Sequence, residues 1–257
     1  MVGDRMLAEI KNKASHTMED QLTGDFFGTI RYLPFEKGLL HVLSAVRFND
    51  VLVQQEWLRE LQKESGHTEI NFWLKHEEGE IDLLLPLTNA LVGIEIKYFS
   101  GISSEDGNDL EITSDTSRNQ LARYARMLLD LREDNKPLFL VFLAPFQMMQ
   151  AVEKSLEERN IIKQEVSLGY ICWEDVLETL TAIDTTGYQP GESLILTDLI
   201  HLLKKKKLMR YRGFAKDLLQ KEVSKEAFLF QKPAADTKSW HWPTKLLNGD
   251  VGYVCNN

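Results

Sequence analysis

Glu80-Ile-Asp-Leu-Leu-Leu-Pro86 followed by Ala90-Leu-Val-Gly-Ile-Glu-Ile-Lys97 is the stretch that decides the fold. Each run has the length and apolar content of a strand, and Thr88-Asn89 between them supplies turn chemistry, so the pair reads as two antiparallel strands. In the second run Glu95 and Lys97 are two residues apart and project from one face, while Ile94 and Ile96 project from the other. Asp82 lies far enough ahead of Glu95 for the chain to finish one strand, turn and come back, which brings the two carboxylates together. Charges set among Leu, Val and Ile are expensive to bury without compensation, so two acids and a lysine here argue for chemistry. Hard oxygen donors on rigid strands suit Mg2+ or Mn2+ and leave coordination positions open for water and a phosphate oxygen. A lysine beside them polarises that water. The competing reading is an ion pair of Lys97 with Glu95 or Asp82 in a sheet that performs no chemistry.

Working outward, a polar loop from Phe99 to Asn108 leads to a helix expected over about 117–132. There Leu121, Tyr124, Ala125 and Leu128 recur at helical spacing and lay one stripe on the sheet. Gln120 borders that stripe, with Arg123 and Tyr124 close by. Upstream, residues from His16 read as a helix ending near Gly24 or Gly28. Glu19 neighbours Met18 and Leu22 on its inward edge, with Asp20 and Asp25 as competing acids. The coarse order is helices near 5–23 and 36–48, strands near 68–75, 80–86 and 91–98, the 117–132 helix, and a buried strand over 137–143. A helix over 146–159, a short strand over 169–173 and a helix through Thr181 follow.

Asp82, Glu95-Ile96-Lys97 and their surroundings resemble the PD-(D/E)XK nuclease superfamily, over roughly residues 15 to 145. Ile81 stands where that pattern has proline, a residue that neither binds metal nor transfers protons. The resemblance implies an α/β fold with a restriction-endonuclease-like core: helix, three-stranded meander, helix, strand. It makes Asp82 and Glu95 the metal-binding acids, Glu19 a further metal ligand from the first helix, and Lys97 the group that orients or activates the attacking water. Gln120 becomes a catalytic neighbour. It implies a Mg2+-dependent nuclease, with Mn2+ substituting, foremost a DNA endonuclease of a restriction or antiviral defence system.

Composition bounds the remaining classes. The chain has 257 residues, 43% hydrophobic and 27% charged, room for one large core or a core with a small appendage. We expect the nuclease-like domain over 1–183 and a mainly helical C-terminal extension over 184–257, either separate or packed on the same core, with extra helices around the core. No apolar segment is long enough to span a bilayer, and the first residues lack a signal peptide's apolar centre, so a cytoplasmic protein is expected. Cys172 and Cys255 form no metal-binding cluster.

A net charge of -9 means that nucleic acid must be held by local contacts or with help from a homodimer mate or a partner such as an NTPase. Lys204, Lys205, Lys206, Lys207, Arg210 and Arg212 are the local candidate for a phosphate backbone. Their competing role is to complement the dipole of a helix ending there. Trp240 and Trp242 could stack on a base, or belong to a tail folded on the core. Two further classes stay open: a noncatalytic nuclease-fold binding or scaffold module, and a metal-independent carboxylate hydrolase using Asp82 and Glu95.

Overall fold

The computed structural model describes residues 18–102, 106, 112–157 and 159–210. The elements in order are helix α1 (Met18–Ile30), a 3-10 turn (Phe35–Lys37), α2 (Leu39–Ser44), α3 (Val51–Leu61), strands β1 (Asn71–His76), β2 (Gly79–Pro86) and β3 (Leu91–Ile96), helix α4 (Gln120–Asp130), β4 (Leu138–Ala144), α5 (Phe146–Glu157), β5 (Val166–Cys172), α6 (Trp173–Ala182) and α7 (Pro190–Lys205). The strands form one sheet in the order β1-β2-β3-β4-β5. β1 to β3 make an antiparallel meander, whereas β3, β4 and β5 run parallel through the α4 and α5 crossovers.

The sheet is covered on both faces, which explains why β4 is apolar without a break. Phe139, Val141 and Leu143 face a core shared with α1, α2, α3, α6 and α7, while Leu138, Leu140, Phe142 and Ala144 face α4 and α5. Gly93 sets how close α4 comes. A Cβ there would lie 2.7 Å from the Ile81 Cδ1 and 3.2 Å from Leu128. The absent side chain therefore lets the helix settle against β3 one pleat below Glu95.

Several elements differ from the expected bounds. α1 runs through both Gly24 and Gly28 to Ile30, because Leu22, Phe26, Phe27 and Ile30 bury an inward stripe whose value exceeds the helix cost of two glycines. The expected helix over 36–48 is a 3-10 turn plus the short α2, and α3 was not anticipated at all. The part of the expected 184–257 extension that is described, α7, packs on this core. Leu196, Leu199 and Leu203 are buried, and the helix packs on α1 and α6. Its N-terminus is fastened by Lys37 to Glu192 at 2.7 Å and by the Tyr188 hydroxyl donating to the Lys37 carbonyl at 3.0 Å. Arg210 closes this compact unit; Arg212, Trp240 and Trp242 lie outside the described residues.

The regular ladder gives way around Asp82. Leu83 and Leu85 pack on the α1 side and Ile81 on the α4 side, although an unbroken strand would send all three the same way. Opposite Asp82 on β1, between the pairs Phe72 with Leu83 and Leu74 with Ile81, Trp73 adopts a φ of +48°. That left-handed conformation is rare for a bulky residue and is a form of strain found at functional positions.

Candidate functional site

The ends of β3, β4 and β5 and the N-termini of α1 and α4 share one edge of the sheet, the edge at which open α/β sheets bind ligands. Asp82 reaches it from β2, Glu95 and Lys97 from the end of β3, Gln120 from the first position of α4 and Glu19 from the first turn of α1. The structure brings all five together.

Glu95 is buried, and its two oxygens differ. Oε1 accepts from Lys97 Nζ at 2.7 Å and from Gln120 Nε2 at 2.7 Å, whereas Oε2 is buried with no N–H or hydroxyl donor beside it, and the Asp82 carboxyl lies within hydrogen-bonding reach of Glu95. Gln120 also meets the Tyr124 hydroxyl at 2.9 Å, and that hydroxyl donates to the Glu80 carbonyl at 2.6 Å, tying α4 to β2. Asp82 accepts the Ile96 backbone N–H at 2.8 Å, inserting a carboxylate where a strand ladder would place a carbonyl.

Lys97 is 5% exposed and stands among three acids: Glu95, Glu19 at 3.3 Å, and the charge of Asp82. Its carbonyl accepts from the Trp173 indole at 3.0 Å, which fixes the backbone at the end of the strand. Glu19, expected as a metal ligand, is occupied on both oxygens. Besides Lys97, it accepts the Tyr98 N–H at 2.9 Å and the Ser100 hydroxyl at 2.6 Å. In this arrangement it holds the 97–100 segment in place. Tyr98, Ser100 and Trp173 carried no legible signal, since their contacts depend on where the chain turns after β3.

These contacts shift the acid–base behaviour. Burial pushes the Asp82 carboxyl up to about 6, against the opposing pull of the Ile96 N–H and of Lys97. Burial, and then the neighbouring Asp82 charge, raise Glu95 well above the usual carboxylate range, with Lys97 opposing. For Lys97, burial favours the neutral amine, but Glu95, Glu19 and Asp82 together outweigh it and raise its pKa. Lys97 is therefore an ammonium at neutral pH, suited to donating hydrogen bonds rather than withdrawing a proton.

Three acids against one lysine leave the cluster short of positive charge. The donor set fits a hard divalent cation: two adjacent carboxylates that resist ionising side by side, one with a buried oxygen that has no N–H or hydroxyl donor beside it. No ready-made cage of three or more His, Cys, Asp or Glu side chains occurs among the described residues. A cleft of about 600 Å3 lies at the opposite end of the sheet, between Arg31, His67, Thr88 and Lys136. It contains none of these groups.

The basic run also comes to the site's edge. Lys204 and Lys205 end α7, Lys206 caps it, and Lys207 takes a φ of +60° as Leu208 N–H bonds back to the Leu203 carbonyl, a helix-ending Schellman geometry. The Tyr98 hydroxyl donates to the Lys206 carbonyl at 2.9 Å, so the run is anchored to the residue that follows Lys97. Arg210 is spent on Asp175 at 2.7 Å and on the Phe146 ring.

No family model, characterised protein or solved structure matches this chain. Among the described residues, no helix is long and apolar enough to cross a membrane.

Proposed function

We propose that the chain is a metal-dependent phosphodiesterase acting on nucleic acid, a nuclease of the restriction-endonuclease-like kind, with DNA as substrate and restriction or antiviral defence as setting. One observation carries this reading: two buried carboxyls, Asp82 and Glu95, crowd each other beside the single Lys97 at the strand-end edge, so that each resists ionising next to the other. A purely structural ion pair would be expected to match one acid to its lysine. A carboxylate hydrolase would instead set its two acids across an open gap wide enough for substrate, but here they perturb each other directly.

Asp82 and Glu95 would hold Mg2+ or Mn2+, which supplies Lewis acidity toward the phosphate and relieves the repulsion between the two acids. Lys97, held by Glu95 and Glu19, donates to the attacking water and to the charge growing on the phosphate. The water oxygen would form its bond to phosphorus as the bond from phosphorus to the 3'-oxygen breaks, with the water's proton passing to solvent and the departing 3'-oxygen taking one from solvent. Gln120 fixes the orientation of Glu95, and Glu19 fixes the backbone that carries Lys97.

The test is incubation of purified protein with plasmid, linear and single-stranded DNA, with Mg2+ or Mn2+ and with EDTA. Cleavage should require the cation and fall by at least about 100-fold in Lys97→Ala, the scale of one lost catalytic donor. Cleavage that survives exhaustive chelation, or a Lys97→Ala protein as active as wild type, removes the reading.

A further inference from the structure

The segment that turns Lys97 inward turns Phe99 outward. Glu19 grips the backbone of Tyr98 and the hydroxyl of Ser100, and Phe99 between them is left 68% exposed. One side of its ring rests on Tyr98, with centroids 3.9 Å apart, and Tyr98 is itself buried beneath it. Lys206 Nζ lies 5.5 Å from the centre of the Tyr98 ring. Beyond it Lys204, Lys205 and Lys207 are exposed, and no carboxylate among the described residues pairs with them. A supported aromatic ring with an open face, two residues along the chain from Lys97, thus adjoins exposed lysines that no described carboxylate pairs with.

We propose that this edge receives an unpaired nucleic-acid strand: Phe99 stacks on a base while the Lys204–Lys207 turn takes adjoining phosphates. The proposal rests on the phosphodiesterase reading and narrows its substrate to single-stranded or locally unpaired nucleic acid. Lysines alone would serve a duplex equally well. The exposed ring discriminates, because bases in a duplex already stack on one another and offer no free face beside the backbone, whereas an unpaired base does. Stacking also answers the problem posed by a chain of net charge -9, since it adds affinity that does not depend on the protein's overall field.

The experiment is fluorescence anisotropy in EDTA, where no cleavage is expected, with a labelled oligothymidylate and with a duplex of equal length. Wild type should bind the single strand more tightly. Phe99→Ala should weaken single-strand binding by about 5- to 100-fold, the value of one stacked base, and change duplex binding by less than about twofold. Phe99→Trp should retain it. The triple variant Lys204→Glu, Lys205→Glu, Lys207→Glu should flatten the dependence of log affinity on log salt by about 2 units. Thermal melts verify that each variant is folded.

Equal or tighter duplex binding overturns the proposal, as does a folded Phe99→Ala protein that binds oligothymidylate like wild type, or no binding to either ligand. Parallel cleavage assays separate the two claims. Cation-dependent cleavage lost in Asp82→Asn would keep the phosphodiesterase reading in any of those cases, whereas the expected binding pattern without cleavage in Mg2+ or Mn2+ would keep the surface and remove the reading.

Discussion

Asp82 is where stability and activity pull apart. Its carboxyl is held up to about 6 in the folded chain against 3.8 for an unperturbed group, so the folded state takes up a proton more readily than the unfolded one. The sign follows directly: the stabilisation is fully present below about pH 4 and is lost as pH rises through about 6. Asparagine keeps an oxygen for the Ile96 N–H but cannot ionise. Asp82→Asn is therefore expected to raise the melting temperature in EDTA at pH 8, by about 1–3 kcal/mol of added stability, with a gain that shrinks toward pH 4. The same variant should lose cleavage and should lose the Mg2+-dependent rise in melting temperature expected of wild type. Calorimetry across pH with and without Mg2+ reads both effects. A variant less stable than wild type at pH 8 without metal would contradict the crowding of the two acids.

Among the elements, Gly93 and α4 form the most sensitive joint. An alanine there needs room already taken by Ile81 and Leu128, so the helix or the strand must yield. Gly93→Ala is expected to cost about 1–3 kcal/mol, the usual price of overpacking. Because Gln120 rides on the same helix and meets Glu95 at 2.7 Å, it should also reduce cleavage more than the stability loss alone explains. Denaturant melts paired with rates measured well below the transition separate the two contributions.

This joint was half legible. The stripe of Leu121, Tyr124, Ala125 and Leu128 announced a helix lying on the sheet, and the alternation around Glu95 announced a strand. What stayed hidden was the closeness of their approach, which depends on a missing side chain. α3 escaped for a different reason: Val53, Trp57, Leu58 and Leu61 do recur at helical spacing and pack on the core, but the exposed Val51 and Leu52 at its start blur that stripe. Of the site, Asp82, Glu95 and Lys97 could be read from spacing, and Gln120 from the resemblance. Glu19 could be placed at the site, but its grip on Tyr98 and Ser100 could not be foreseen, since it depends on how the chain folds back after β3.

For the whole molecule, α7 spans the α1 side of the sheet from the Lys37 contact to Tyr98, and Leu203 on it is fully buried. Leu203→Ala is expected to cost about 2–5 kcal/mol, as for a large-to-small change in a well-packed core. Since α7 packs on both α1 and α6, the loss should appear as a shift of one cooperative transition and not as a separate early step. Circular dichroism and tryptophan fluorescence should then report coincident midpoints. Two resolved transitions would mean that α7 unfolds independently of the sheet.

The seam at Asp82 also makes the protein its own indicator. The Ile96 amide lies inside the sheet, yet its acceptor is a carboxylate that titrates rather than a carbonyl that does not. Its proton resonance should therefore move downfield as pH rises through about 6, when a neutral hydrogen bond becomes charge-assisted, while amides bonded to ladder carbonyls nearby stay still. Saturating Mg2+ should hold that resonance in place across the same range, because the carboxylate would no longer take up a proton there. In Asp82→Asn the resonance should be pH-independent with or without the cation. A single backbone signal would then report ionisation and metal occupancy without any substrate, turnover or label.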